Sequence, residues 1–309
     1  MKKKILVAGG AGFIGFHLCK KLIRNNIVYC VDNLSTGNIN NVKELQNNNN
    51  FYFIKKNIQK KFNITCDEIY NLACPASPNK YQKNPIDTIK TNVFGSINLL
   101  DIAKKNKAKI FQASTSEIYG DPLVHPQNEK YRGNVNITGV RACYDEGKRI
   151  AESLFFDYNR SANIKIKVAR IFNTYGPYMN TDDGRVVSNF IVSALQNKPL
   201  LINGDGSQTR SFCYVDDTIK GIIKLMNSGK NILGPINIGS TNEKTILFLA
   251  KKIIQMTNSK SKIFFNDFKA DDPIKRKPDV KLANKILKWK EKTSLEDGIK
   301  KTIEYFKKI

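Results

Sequence analysis

The first five residues of regular pattern, Lys4-Ile5-Leu6-Val7-Ala8, read as a short strand of the buried type and run without a break into Gly9-x-x-Gly12-x-x-Gly15. Helical apolar spacing follows over 13–24, so the glycines stand where a strand turns into a helix. A turn of this kind brings backbone close to backbone and aims the free N–H groups of a helix N-terminus at an anion. A second strand over 27–31 ends at Asp32, close to twenty residues past the loop, where a carboxylate can accept from both hydroxyls of a ribose. Strand, loop, helix and acid together predict a dinucleotide site. Asp32 repels a 2′-phosphate and favours NAD over NADP.

Further apolar runs at 51–54, 68–72, 109–113 and 164–169 alternate with helical patterns at about 84–106 and 142–160. That alternation predicts an α/β fold, a doubly wound parallel sheet of the Rossmann type with crossover helices. Beyond about residue 175 the pattern loosens around Gly176-Pro177, Gly204-Asp205-Gly206 and Gly234-Pro235, with helices near 185–197, 216–227, 245–257 and 294–307. The expected division is a dinucleotide-binding domain over 1–175 and 211–238 and a smaller mixed domain over 176–210 and 239–309. Ligands of such sheets bind beyond the carboxyl ends of the strands, which places the chemistry in the cleft between the two.

Composition narrows the function classes. No stretch approaches the ~20 apolar residues of a membrane span, and the first strand begins almost at Met1, so the expectation is a soluble cytoplasmic chain. Six cysteines are scattered singly and only two histidines exist, which argues against a metal centre or a disulfide framework. The formal charge of +24 invites a nucleic-acid reading. The lysines are dispersed among many Asn and Ile, however, so the expectation is weak, salt-sensitive attraction of polyanions without a specific nucleic-acid surface.

Tyr144-Asp145-Glu146-Gly147-Lys148 places a phenol and an amine one helical turn apart. A tyrosine titrates near pKa ~10, and an ammonium at i+4 favours its phenolate, which can take a proton from a sugar hydroxyl while hydride leaves the same carbon. The strand at 109–113 leads into Ser114-Thr115-Ser116-Glu117, which delivers hydroxyls and a carboxylate to the same edge. With Tyr144 and Lys148, this resembles the extended short-chain dehydrogenase/reductase superfamily of nucleotide-sugar enzymes over essentially the whole chain. The resemblance implies that Thr115 hydrogen-bonds the reacting hydroxyl, Tyr144 is the base and Lys148 holds the nicotinamide ribose. It also implies a cofactor site of Gly9, Gly12, Phe13, Ile14, Gly15, Asp32, Asn33, Ser35, Thr36, Gly37, Asn57, Ile58, Leu72 and Ala73 beside Tyr144 and Lys148.

The residue before Glu117 bears on which member is at hand. The 4,6-dehydratases carry Asp-Glu there, because expelling a hydroxyl as water needs a proton donor as well as a base. Ser116 is a poor acid, so dehydration is disfavoured. The strings at 71–78, 114–122, 141–149, 169–177, 183–190, 206–210 and 271–279 resemble the UDP-glucuronate decarboxylase (UDP-xylose synthase) family. That resemblance implies NAD-dependent oxidation at C4 of the glucuronosyl ring, loss of CO₂ from the β-keto acid, protonation at C5 and return of hydride, with no net redox change. It places Ser116 and Glu117 over the sugar, Arg276 near the carboxylate or the path of the C5 proton, and Arg210 on the diphosphate. Asn173, Arg185, Lys90, Asn98 and Tyr158 follow as substrate-side positions. Asn57 stands where an Asp is usual, and Thr138 and Val140 replace prolines common in the family. The helices at 84–106 and 142–160 resemble those of a four-helix homodimer interface. A nucleotide-sugar 4-epimerase or 4,6-dehydratase remains the alternative, sharing the same tyrosine, lysine and NAD.

Overall fold

Side chains of the first strand, β1 (Lys4–Ala8), alternate between two buried surfaces. Ile5 and Val7 pack with Phe16 and Leu18 of helix α1 (Phe13–Leu22), whereas Leu6 and Ala8 join the cluster containing Leu99 and Ile102. A strand apolar on both faces belongs in the middle of a sheet covered by helices on each side. The structure, a computed structural model, describes residues 1–268 and 271–309 and has that architecture.

β2 (Ile27–Asp32), β3 (Phe51–Lys55), β4 (Glu68–Asn71), β5 (Lys109–Thr115) and β6 (Ile166–Ile171) complete the parallel core with a seventh strand, Ile236–Ile238. Their order is β3-β2-β1-β4-β5-β6 and then the seventh strand, so the direction of winding reverses between β1 and β4. The chain is therefore an α/β doubly wound fold with its ligand crevice at that reversal. Two helices cover one face, α4 (Pro85–Asn106) and α5 (Ala142–Ala162), packed side by side. α5 is bolted to the sheet by Glu152, whose carboxylate accepts from Ser114 on β5 and from Arg170 on β6, the latter at 2.9 and 3.1 Å.

Two elements of the first half are absent from the sequence reading, α2 (Ile39–Leu45) and α3 (Pro78–Tyr81), because seven and four residues carry too little periodicity to register. β6 also starts later than 164. Asn163 ends α5 in the left-handed conformation (φ 53°), the turn takes up 164–165, and the strand runs on to pair Ile171 with Thr115.

The remainder forms small sheets at the carboxyl edge. Thr209–Ser211 pairs antiparallel with Glu243–Thr245 and parallel with Lys275–Arg276, in a register that sets Arg276 directly beside Arg210. The strand carrying Arg276 is tied to the main sheet through Gln127, which exchanges hydrogen bonds of 2.7–2.8 Å with Lys277 and Asp279. Asn237 of the seventh strand donates to the carbonyls of both Gln127 and Asp279, at 3.0 and 3.1 Å. Among the described residues no helix is long and apolar enough to cross a membrane, and no cluster of three or more His, Cys, Asp or Glu side chains could hold a metal.

Candidate active site

The cleft opens where the strands end. A cavity of about 790 Å³ lies over β1, β5 and β6, and a recess of about 70 Å³ continues it over β2, β3 and β4. The glycine turn divides them. Gly9 has φ +78°, and a Cβ there would lie 2.8 Å from the backbone of Ala73; a Cβ on Gly15 would lie 2.8 Å from Gly10 Cα. No side chain fits this cradle, and Gly12 caps α1 with no side-chain hydrogen bond, leaving the first N–H groups of that helix for a guest.

In the recess, Asp32 ends β2 with one oxygen accepting from Ala11 N (3.0 Å) and the other from Leu34 N (2.8 Å). Burial pushes its carboxyl up from the ordinary value against the pull of those amides. Such a group gains from hydroxyl donors, as a ribose supplies. Asn33, Ser35, Thr36, Gly37, Asn57 and Ile58 line the same recess, and Leu72 and Ala73 close it below. Phe13, Ile14 and Gly15 face the larger cavity. The residues present fit a dinucleotide.

Tyr144 lies in the first turn of α5, buried, its ring stacked on Tyr81 of α3 at 4.9 Å between centroids and 4° between planes. Thr115, at the end of β5, lines the cavity together with the phenol. Lys148 is buried, with Nζ donating to Ala113 O (3.0 Å) and 5.8 Å from the Tyr144 ring centre. The sequence argument has the ammonium favouring the phenolate. In the protein alone burial dominates both groups, pushing the Tyr144 phenol well up and the Lys148 ammonium down. Lys148 gives one of its three N–H donors to a backbone carbonyl and keeps two for a guest.

Above the tyrosine stands a charge cluster that sequence reading caught only in part. Both oxygens of Glu117 are taken, one by Arg276 and the other by Arg141. Burial alone would raise Glu117, but the two guanidiniums hold it down at about 2. Arg141 also reaches Asp272 (3.2 Å), whose other oxygen meets Arg210 (3.1 Å). Asp145, one residue after Tyr144, is buried with Oδ1 unpartnered among the described residues, and burial together with Glu117 pushes it up to about 8.

A carboxyl raised from an ordinary 3.8 to about 8 must take up a proton on folding, so its cost to stability grows as pH rises through that window and is constant above it. Asp145→Asn mimics the protonated form. Its melting temperature is expected to gain on that of the native chain as pH rises from 4 to 8; a difference that is flat across those pH values would reject the assignment.

Ser116, Asn173 and Arg185 line the same cavity, Arg185 paired with Asp183 and lying over the Phe13 ring at 5.5 Å. Three expected residues are not there. Lys90 is exposed on α4, Asn98 is spent on Ile58 O (2.8 Å), and the Tyr158 hydroxyl donates to Asp101 (3.0 Å). Tyr158 is fourteen residues past Tyr144 on α5, about 21 Å along the helix at 1.5 Å per residue, and lines neither recess. Conversely, Arg141, Asp272 and Tyr81 belong to the site without having been singled out. Arg141 and Asp272 lie within strings that carried the family resemblance, which was the available signal.

A dinucleotide cradle at the winding reversal, with tyrosine, lysine and threonine beside it, defines an extended short-chain dehydrogenase/reductase. Residues 6–302 match the family model of GDP-mannose 4,6 dehydratase. UDP-glucuronic acid decarboxylase 3 of Arabidopsis thaliana is 51% identical over 298 residues, 96% of this chain and 86% of that protein. UDP-glucuronic acid decarboxylase 1 of Xenopus tropicalis is 48% identical over 308 residues, 99% of this chain and 73% of that one. Among solved structures, UDP-glucuronic acid 4-epimerase from Bacillus cereus, in complex with UDP-glucuronic acid and NAD, superposes with a TM-score of 0.89 at 30% identity, covering 99% of both chains. The chain belongs to the UDP-glucuronic acid decarboxylase family within that superfamily.

Proposed function

We propose that the chain is an NAD-dependent decarboxylase that converts UDP-glucuronate to UDP-xylose through a C4-keto sugar, with no net redox change. The observation that carries this reading is the convergence of Arg276, Arg141 and Glu117 over Tyr144. That cluster is suited to a sugar bearing a carboxylate, and Ser116 beside it lacks the acid that dehydration requires. The sheet, over 1–175 and 211–238, holds the cofactor, and 176–210 with 239–309 hold the nucleotide sugar.

The glycine turn and Asp32 would hold NAD, which would supply the hydride acceptor for C4 and, once reduced, the donor that restores it. Thr115 and Tyr144 fix the C4 hydroxyl, and Tyr144 accepts its proton and gives it back when C4 is reduced. Lys148 positions the ribose and, held at Ala113, keeps an ammonium close to the phenol. With C4 a carbonyl, the C5–C6 bond breaks, CO₂ leaves, and the electron pair passes into the enolate. One proton taken from solvent is then delivered to C5. Water or Glu117 carries that proton, while Arg276 orients the group that departs. Arg210 and Arg185 bind the diphosphate end and Asn173 the sugar side.

Proton NMR of the chain with UDP-glucuronate and NAD⁺ tests the reading. UDP-xylose signals are expected to replace those of UDP-glucuronate. Recovery of UDP-galacturonate instead would establish the 4-epimerase, and untouched UDP-glucuronate would exclude both.

The homodimer belongs to the same proposal. Ile86 and Phe94 on α4 are 65% and 51% exposed, with Ile89 and Ile150 exposed on the same helix pair. A second copy of α4 and α5 would cover this apolar surface. Phe94→Glu is expected to halve the mass measured by light scattering, and an unchanged dimer would move the interface elsewhere. We place the enzyme in the cytoplasm, where its six unbridged thiols persist.

A further inference from the structure

β2 and β3 pair so that Asp32 lies opposite Lys55, and Asn57 follows two residues later. With the ribose of a dinucleotide on Asp32, the next group outward is its purine, and Lys56, Asn57, Ile58 and Thr91 line the end of the recess that receives it. The bonds already made there decide what this end can offer. Asn57 Oδ1 accepts from Gln59 N (2.9 Å), and Asn57 O accepts from Lys60 N (3.1 Å). Ile58 O accepts from Asn98 Nδ2 (2.8 Å). Thr91 Oγ1 accepts from Gln59 Nε2 (2.9 Å) and donates to Asp87 O (2.8 Å). A backbone N–H is met by an oxygen, not by an amide nitrogen, so the bond from Gln59 fixes which way round the Asn57 amide sits. Its NH₂ group has no partner among the described residues and is what remains for a guest.

An aspartate at 57 would give one oxygen to Gln59 and the other to the purine. Asn57 presents a donor in that place. Adenine carries an amino group at C6, itself a donor, whereas a 6-oxo purine carries an acceptor there. Two donors facing one another leave both without a bond, and the oxo group closes one. We infer that Asn57 sets the base preference of the cofactor site, so that the chain takes a dinucleotide with a 6-oxo purine, nicotinamide hypoxanthine dinucleotide, on nearly equal terms with NAD. This rests on the NAD reading of the recess and is independent of the sugar. The glycine turn, Asp32, Tyr144 and Lys148 meet parts that the two dinucleotides share, so Asn57 is the side chain that tells their purine edges apart.

Displacement of NADH fluorescence by each dinucleotide at neutral pH gives the two affinities for the native chain, and they are expected within about fivefold of one another. Asn57→Asp, nearly identical in shape, is expected to move the ratio at least about tenfold toward NAD, the scale of one bond gained against one left unmade. Both dinucleotides carry the same charge, so the effect of the new carboxylate on their phosphates cancels in the ratio. Asn57→Ala removes the donor without supplying an acceptor. It is expected to weaken the hypoxanthine dinucleotide several-fold and to leave NAD within about twofold, whereas a role confined to the local turn would weaken both alike. A larger native preference for NAD, a smaller shift in Asn57→Asp, or equal weakening by Asn57→Ala overturns the assignment. If neither dinucleotide binds the native chain, the NAD reading falls with it; if NAD binds and only the ratios disagree, the role of Asn57 alone is wrong.

Discussion

Tyr144→Phe is expected to lower turnover of UDP-glucuronate by roughly a hundred- to ten-thousand-fold, the contribution of a positioned acid/base group. The substitution removes one oxygen and leaves the ring on Tyr81, where the parallel stack at 4.9 Å needs no hydroxyl. Fold and cofactor retention are therefore expected to persist, which separates a chemical defect from a structural one. The readout is NADH absorbance in a single turnover together with NMR of the sugar, at equal NAD content. Retention of even a tenth of native turnover would mean that another group takes the C4 proton.

Gly15→Ala is expected to yield protein that is purified without NAD and is destabilised by about 3 kcal/mol, the upper part of the range for overpacking. The new methyl would collide with the Gly9 carbonyl and lie 2.8 Å from Gly10 Cα. These are backbone atoms, so no rotamer change relieves the contact. Either α1 moves away from the turn or the turn opens, and in both cases the helix N-terminus leaves the position it holds at the cleft. Measuring bound nucleotide by ultraviolet absorbance and stability by urea unfolding checks both halves. A variant that keeps its NAD would show that the loop has slack absent from the geometry.

What could be read in the sequence follows from where each constraint acts. The glycines, Asp32, and the pair Tyr144 and Lys148 are fixed by geometry within a strand, a turn or one helix, so their spacing along the chain records their spacing in space. Arg141 is different. It is three residues from the base, but what matters is its pairing with Glu117 and with Asp272, 24 and 131 residues distant, and no local pattern encodes such a meeting. Lys90, Asn98 and Tyr158 show the converse, since none of them lines either recess. Their helices were placed correctly, yet Lys90 faces solvent next to Thr91 of the recess, Asn98 reaches the recess only through Ile58 O, and Tyr158 lies fourteen residues beyond Tyr144, so membership of the element does not confer membership of the site. The phenol was also read too locally, since burial in the assembled protein outweighs the lysine one turn away.

The strand that carries Arg276 is held by Gln127 and Asn237, and its guanidinium meets a glutamate 159 residues earlier. A chain emerging from the ribosome has therefore made the glycine turn, Asp32, Thr115, Tyr144 and Lys148 long before it makes Arg276, and it folds its N-terminal part first. In order of synthesis the cofactor cradle and Tyr144 therefore precede the strand Lys275–Arg276, and the second guanidinium on Glu117 is supplied only when that strand pairs with Thr209–Ser211.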